Sequence, residues 1–309
     1  MDWHSSILRL NGPTTQRIRT VITEVMSRVT TLKLLALVIG TLSLALPAHS
    51  QSVEPSSSAQ DLARKVVANE VRIAKEDQSL WSYQKTTRKP GGVEERAVIQ
   101  TKDGDLDRLI LVEGKPLTET EQKHENERIK DLINDPSKQR RLKEHSQKDA
   151  DQMTHILKIL PDALLFTDGE RRGNSLQMLF KPNPQYHPTS REAHVLSTLE
   201  GEMWVDARQD RIEEVRGHVT HEVHFGGGLI GHLDKGGTFE VKQAEVAPHH
   251  WEVTKLDIHM KGKAVLFKSI SIQQSESRSN FQRVSDDLTL EQAAEMLSRP
   301  DVLAQTRGQ

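Results

Sequence analysis

The chain has 309 residues, with 42 basic side chains against 44 acidic ones, 14 histidines and no cysteine. A net charge of −2 gives no electrostatic reason to expect nucleic acid as a partner, and the lack of cysteine excludes disulfides, thiol catalysis and cysteine zinc sites. With 35% hydrophobic residues the chain is polar, yet long enough to bury a real core.

Residues 34–46, LLALVIGTLSLAL, are the outstanding apolar run, and at 13 residues they fall short of the roughly 20 that cross a bilayer. Arg28 and Lys33 precede the run, and the small residues Ala48 and Ser50 follow it. This pattern predicts a signal peptide over residues 1–50, cleaved between Ser50 and Gln51, with translation starting at Met26. An uncleaved anchor is the alternative. Residues 1–50 hold five bases and two acids, so residues 51–309 carry a net charge of −5. They read as a single exported domain, periplasmic or secreted.

Leu62, Ala63, Val66, Val67, Val71 and Ala74 recur at helical spacing behind Ser58, predicting an N-terminal helix to about Glu76. Short strands follow in LWSYQKTTRK, VEERAVIQTK and LDRLILVEG, split by Pro90-Gly91-Gly92 and Asp103-Gly104-Asp105. Residues 118–157 are rich in charge and open with the capping box Thr118/Glu121, and Pro136 splits them into two helices. This insertion reads as a solvated helical face, or as a lid over a cavity. Strand texture returns in NSLQMLF, AHVLSTLEGEMWVDA, RIEEVRGHVTHEVHF, GGTFEVKQAEV, HWEVTKLDIHM and KAVLFKSISIQQ, before a short helix opened by Thr289 and Gln292. The expected fold is α+β: a large curved antiparallel sheet, or half-barrel, with an N-terminal helix, a charged helical insertion and a short C-terminal helix.

His218, His221 and His224 form H-x-x-H-x-x-H inside a β-branched, alternating segment. As a strand, that segment places His221 opposite the other two and holds His218 and His224 roughly 20 Å apart, too far for one zinc ion. Glu222 and His224 with a histidine from a neighbouring strand, such as His259, remain the one arrangement that would bind metal. Gly226–Gly231 spells G-x-G-x-x-G, but only four residues separate it from Gly236-Gly237, leaving no room for the helix that dinucleotide binding requires. It reads as a connection between antiparallel strands. No catalytic constellation, metal site or cofactor is expected.

The run Gly201-Glu202-Met203-Trp204-Val205-Asp206, followed by Arg211, Ile212 and Val215, resembles the G-x-x-W-[IV]-D…I segment of the periplasmic lipoprotein-carrier-like (LolA/LolB-like, outer-membrane lipoprotein-sorting) superfamily. That resemblance implies a strongly curved, incomplete antiparallel barrel whose mouth is closed by helices and whose concave apolar face holds acyl chains. The arginine that those carriers use inside the cavity has no evident counterpart, and the 118–157 insertion is longer and more charged than their helices.

The leading expectation is therefore a non-enzymatic module that binds an apolar small molecule or a lipidated protein, with peripheral contact to the inner or outer membrane. Met203, Val205, Val219, Val223 and Phe225 on one strand face are the expected lining, with Trp204 on the opposite face as runner-up. The alternatives are an interaction protein with a filled sheet, and a metal-dependent enzyme built on the histidines of residues 218–259.

Overall fold

The computed structural model describes residues 57–225, 231–264 and 268–299; the expected signal peptide and most of the glycine run lie outside the described residues. In chain order the elements are α1 (Ser57–Glu76), β1 (Leu80–Lys89), β2 (Gly92–Ile99), β3 (Leu106–Val112), β4 (Lys115–Pro116), α2 (Glu119–Asn134), α3 (Pro136–Ala163), β5 (Leu164–Arg172), β6 (Ser175–Pro182) and α4 (Arg191–Leu196). After these come β7 (Leu199–Asp206), β8 (Arg211–Val219), β9 (Val223–Phe225), β10 (Gly231–Leu233), β11 (Thr238–Ala247), β12 (His250–Ala264), β13 (Lys268–Val284) and α5 (Leu290–Leu297).

All the strands join one open antiparallel sheet in the order β4-β3-β2-β1-β13-β12-β11-β8-β7-β6-β5, and the small β9–β10 hairpin attaches through β12. Two meanders, β1–β4 and β5–β8, are thus joined side by side through β11–β13. The fold class is the α+β one that the sequence predicts.

The caps stand where their side chains require. Thr118 and Glu121 form the reciprocal box that opens α2, and Thr289 with Gln292 does the same for α5. Asp135 caps α3, whose first residue is Pro136. Helix α3 runs on to Ala163, beyond the expected end at 157, and carries Pro161 in its last turn.

Four stretches depart from the expected strands. Ser190 accepts the Ala193 amide and starts the short helix α4, so the first residues of AHVLSTLEGEMWVDA, His194 and Leu196 among them, are helical. The segment VRGHVTHEVHF is two strands: β8 ends at Val219, the Thr220 amide and hydroxyl both donate to the Thr198 carbonyl, and β9 pairs with β10 instead. Finally, LLFTDGERR and the serine-rich 275–284 are strands despite their polarity, because β6 and β1 supply their backbone partners.

Two main clusters fill the interior. Ala59, Ala63, Val66 and Val67 of α1 pack onto β5–β10, and the alanines leave the helix close to the sheet. Two polar side chains fix α1 in place. The Gln60 amide donates to the Pro161 and Leu164 carbonyls while its oxygen accepts the Phe166 amide. The buried Glu70 takes the Arg211 guanidinium on both oxygens, at 2.9 and 3.2 Å, and also accepts the Ile212 amide. The second cluster joins β2 and β3 to Ile129 of α2, Leu142 of α3 and the apolar face of α5.

The Gly201–Ile212 run has a structural explanation. Gly201 faces Gly217 across β7 and β8, where a Cβ would overlap the Arg216 carbonyl oxygen. Asp206 accepts the Arg208 and Gln209 amides in the turn, and Asp210 takes the left-handed conformation at φ 51°. Trp204 donates to Glu202 beneath the Arg172 guanidinium, 4.4 Å from its ring centre. Gly201→Ala is expected to destabilise the protein by about 1–3 kcal/mol or more, because backbone must move to admit the methyl; urea melts of the purified variant measure it.

Candidate functional site

Directly opposed residues in antiparallel strands point to the same side of a sheet. The registers therefore trace one face across seven strands. Met203 faces Val215, Val215 faces Val241, Val241 faces Leu256, Leu256 faces Glu276, Glu276 faces Thr87, and Thr87 faces Glu94. A parallel row runs from Gly217 through Phe239 and Ile258 to Gln274. This is the face onto which α1 packs, and it changes from apolar to charged along its length.

At the apolar end, Met203, Val205, Val219, Val223 and Phe225 do come together, each buried, in the same cluster as Ala59, Ala63 and Val66 of α1. Protein side chains fill the space in front of them. Trp204 sits on the opposite face, as its phase predicts.

At the other end the same face carries Lys85, Thr87, Arg96, Asp107, Gln274 and Glu276, all buried, and the half-buried Arg278. Arg96 donates to Asp107 at 3.2 Å, Arg128 reaches Asp107 at 3.1 Å and Glu125 at 2.7 Å, and Arg278 donates to one Glu276 oxygen at 2.8 Å. Arg278 also lies 5.3 Å from the Tyr83 ring centre. Four polar atoms on this floor have no hydrogen-bond partner among the described residues: Lys85 Nζ, Thr87 Oγ1, Gln274 Nε2 and Glu276 Oε2. Buried polar groups are nearly always paired, so four on one patch call for an explanation.

Lys85 is 0% exposed. Its burial, only partly opposed by the charges of Asp107 and Glu276, pulls the ammonium pKa down to about 8. The floor thus offers three donors and one acceptor from a fixed sheet, close to cations and carboxylates that are already paired. That set suits a polar group rich in oxygen that also carries a donor of its own. Sequence reasoning missed it, although a signal was present: in LWSYQKTTRK, Lys85 and Thr87 fall in phase with Trp81 and Tyr83, and β1 buries those alternate positions.

The opposite face of the sheet is a lattice of ion pairs. Lys255 bridges Glu240 and Asp257, both at 2.8 Å, Lys242 bridges Glu214 and Glu240, and Arg216 reaches Glu202. A shallow cleft of about 550 Å³ lies there between His218, Thr238 and His259, which are neighbours in register. His259 is accordingly not the histidine that joins Glu222 and His224; that position is taken by His232.

Asp77, Ser79 and His250 also meet, but Ser79 Oγ and Asp77 Oδ2 both approach the same ring nitrogen, Nδ1, at 3.3 and 3.1 Å. A nucleophile relay needs the two on opposite ring nitrogens, so this cluster is not one. Burial acts to raise the Asp77 pKa, but hydrogen bonds from Ser79 and the neighbouring His250 outweigh it and hold the carboxyl below its ordinary value.

No family model and no curated protein matches the chain. Among solved structures, it is similar to the crystal structure of a DUF1329 family protein from Desulfovibrio piger, with 12% identity over 76% of this chain and 96% of that one, at a TM-score of 0.26.

Proposed function

We propose that this protein is an exported, non-enzymatic binding module for an amphiphile, a lipid or lipidated partner. The polar head would rest on the Lys85–Gln274–Glu276 floor, and the chain would run along the adjoining Leu256, Ile258 and Phe239. The observation that carries this reading is the set of four unpartnered polar atoms at the end of a continuous apolar face. Burial of an acyl chain supplies about 0.8 kcal/mol per methylene, and the head would supply the partners that the floor lacks. The periplasmic address and the carrier-like cargo belong to the same proposal.

Entry then falls to α2, the first helix of the 118–157 segment, which fits the lid reading for that part of it. Helix α2 buries only Glu125 and Ile129 of its 16 residues, so its hold on the sheet rests on little apolar packing and chiefly on the polar ties of Arg128 to Asp107 and of Glu125 to the Leu109 amide. The anchoring of α1 by Gln60 and Glu70 makes that helix the fixed side.

Native mass spectrometry of residues 51–309, purified without detergent from a periplasm, tests the proposal. The expected spectrum shows added mass that dissociates as lipid, and its loss in a folded Lys85→Met variant. A bare protein mass would overturn the reading and favour an interaction module with a filled sheet, for which the packing of α1 onto Met203, Val205 and Val219 already speaks. Acidic substitutions at Val219 or Val223 are poor probes, since both side chains lie in packed core and their loss would read as unfolding.

A further inference from the structure

The geometry points to a divalent transition-metal site of the zinc type formed by Glu222, His224 and His232. It lies away from the buried floor, and nothing in the amphiphile proposal requires it. His224 and His232 face one another directly across the β9–β10 pair, with ring centres 5.9 Å apart. Val223, Phe225 and Leu233 point into the core, so the alternating histidines stand on the outer face. Glu222 Oε1 lies 3.1 Å from His224 Nε2 and 3.8 Å from His232 Nδ1, and the three ligand atoms all fall within 4.8 Å of one another.

Those separations are near what a metal needs. Ligands about 2.0–2.1 Å from a tetrahedral zinc stand roughly 3.3–3.4 Å from each other, so the present spacings close with small side-chain rotations. The two rings offer nitrogen and Glu222 offers oxygen, a donor set that suits zinc and its neighbours better than magnesium or calcium. His232 has a further feature. Its other nitrogen, Nε2, lies 3.2 Å from Asp234 Oδ1, the carboxylate-behind-histidine arrangement that fixes the tautomer of a metal-bound ring. Glu222 and His224 are exposed enough for water to complete the coordination. Lys263, the register partner of His232, is the adjacent cation, and it is solvated.

The site would staple a small hairpin at the margin of the sheet. Among the described residues β9 pairs with β10 alone, and β10 holds to β12 through three residue pairs.

Calorimetric titration of chelator-stripped protein with zinc chloride at pH 7.5 tests the assignment. One equivalent should bind, and the melting temperature should rise by roughly 5–10 °C when zinc exceeds Kd about 100-fold. Losing a carboxylate behind a metal-bound histidine costs about 10–100-fold in affinity, so Asp234→Asn should fall in that range and His224→Ala and His232→Ala should exceed it. The double variant His218→Gln/His259→Gln should bind as the parent does. His224 is exposed and His232 is half-buried, and Glu222→Gln provides a third variant, on an exposed residue, that removes only the charge. No binding by the parent, or binding that survives all three ligand substitutions, would overturn the proposal.

Discussion

Lys85→Met will make the protein more stable at pH 7 and, under the proposed function, less able to retain an amphiphile. The ammonium titrates near 10.5 in the unfolded chain and at about 8 when folded, a difference of about 3 kcal/mol against the charged form. The sign follows from proton counts. Below about pH 8 both states are protonated and the full cost of burying the charge is present. Between about 8 and 10.5 the unfolded chain still holds a proton that the folded chain has released, so stability rises with pH across that window. Methionine fills a similar volume with no charge to desolvate, and replacing buried ionic groups with apolar ones is often stabilising. Urea denaturation of both proteins at pH 7 and pH 10 measures the effect. The variant should lead by about 1–3 kcal/mol at pH 7, and its lead should nearly vanish at pH 10. A variant less stable than the parent at pH 7 would mean that Lys85 is an integral part of the Asp107–Glu276 charge balance and not a group held in reserve for a ligand.

Glu70→Ala should have the opposite and larger effect. It leaves the Arg211 guanidinium buried without its bidentate partner and strips the Ile212 amide of its acceptor, a combination worth about 3–5 kcal/mol. For a chain of this size that lowers the melting temperature by roughly 10 °C. Glu70→Gln keeps an acceptor for the Ile212 amide and should lose less. The double variant Glu70→Leu/Arg211→Met should recover part of the loss, because no charge is then left without a partner. Scanning calorimetry of the four proteins separates the cost of an orphaned charge from that of an undocked α1.

Much of the fold was legible because its signals are local. The spacing of Ala63, Val66 and Val67, the boxes at Thr118 and Thr289, the break at Pro136 and the alternation of LWSYQKTTRK each act within a few residues. Strand 275–284 was not legible, since its serines and charged residues carry no apolar phase and owe their conformation to β12 and to β1, the latter about 200 residues away. The five expected lining residues do converge, for alternation fixes which side chains share a face, but it says nothing of what covers that face. The metal candidate shows the same limit. Glu222 and His224 were visible as neighbours, whereas the choice of His232 over His259 depends on a strand break at Thr220–Glu222 and on which strand β9 then pairs with.

Helix α3 places Leu142 in the β2–β3–α5 cluster and Leu160 and Ala163 in the α1 cluster. Its 28 residues make a rod of about 42 Å between the two. A rod fixed at both ends transmits displacement as a seesaw beam does: prising Leu142 from its seat beside Gly104 tilts the far end against α1. The two hydrophobic clusters should therefore lose their amide-exchange protection together, and the meanders that frame them should melt as one cooperative unit, although α3 is the longest element that bridges them.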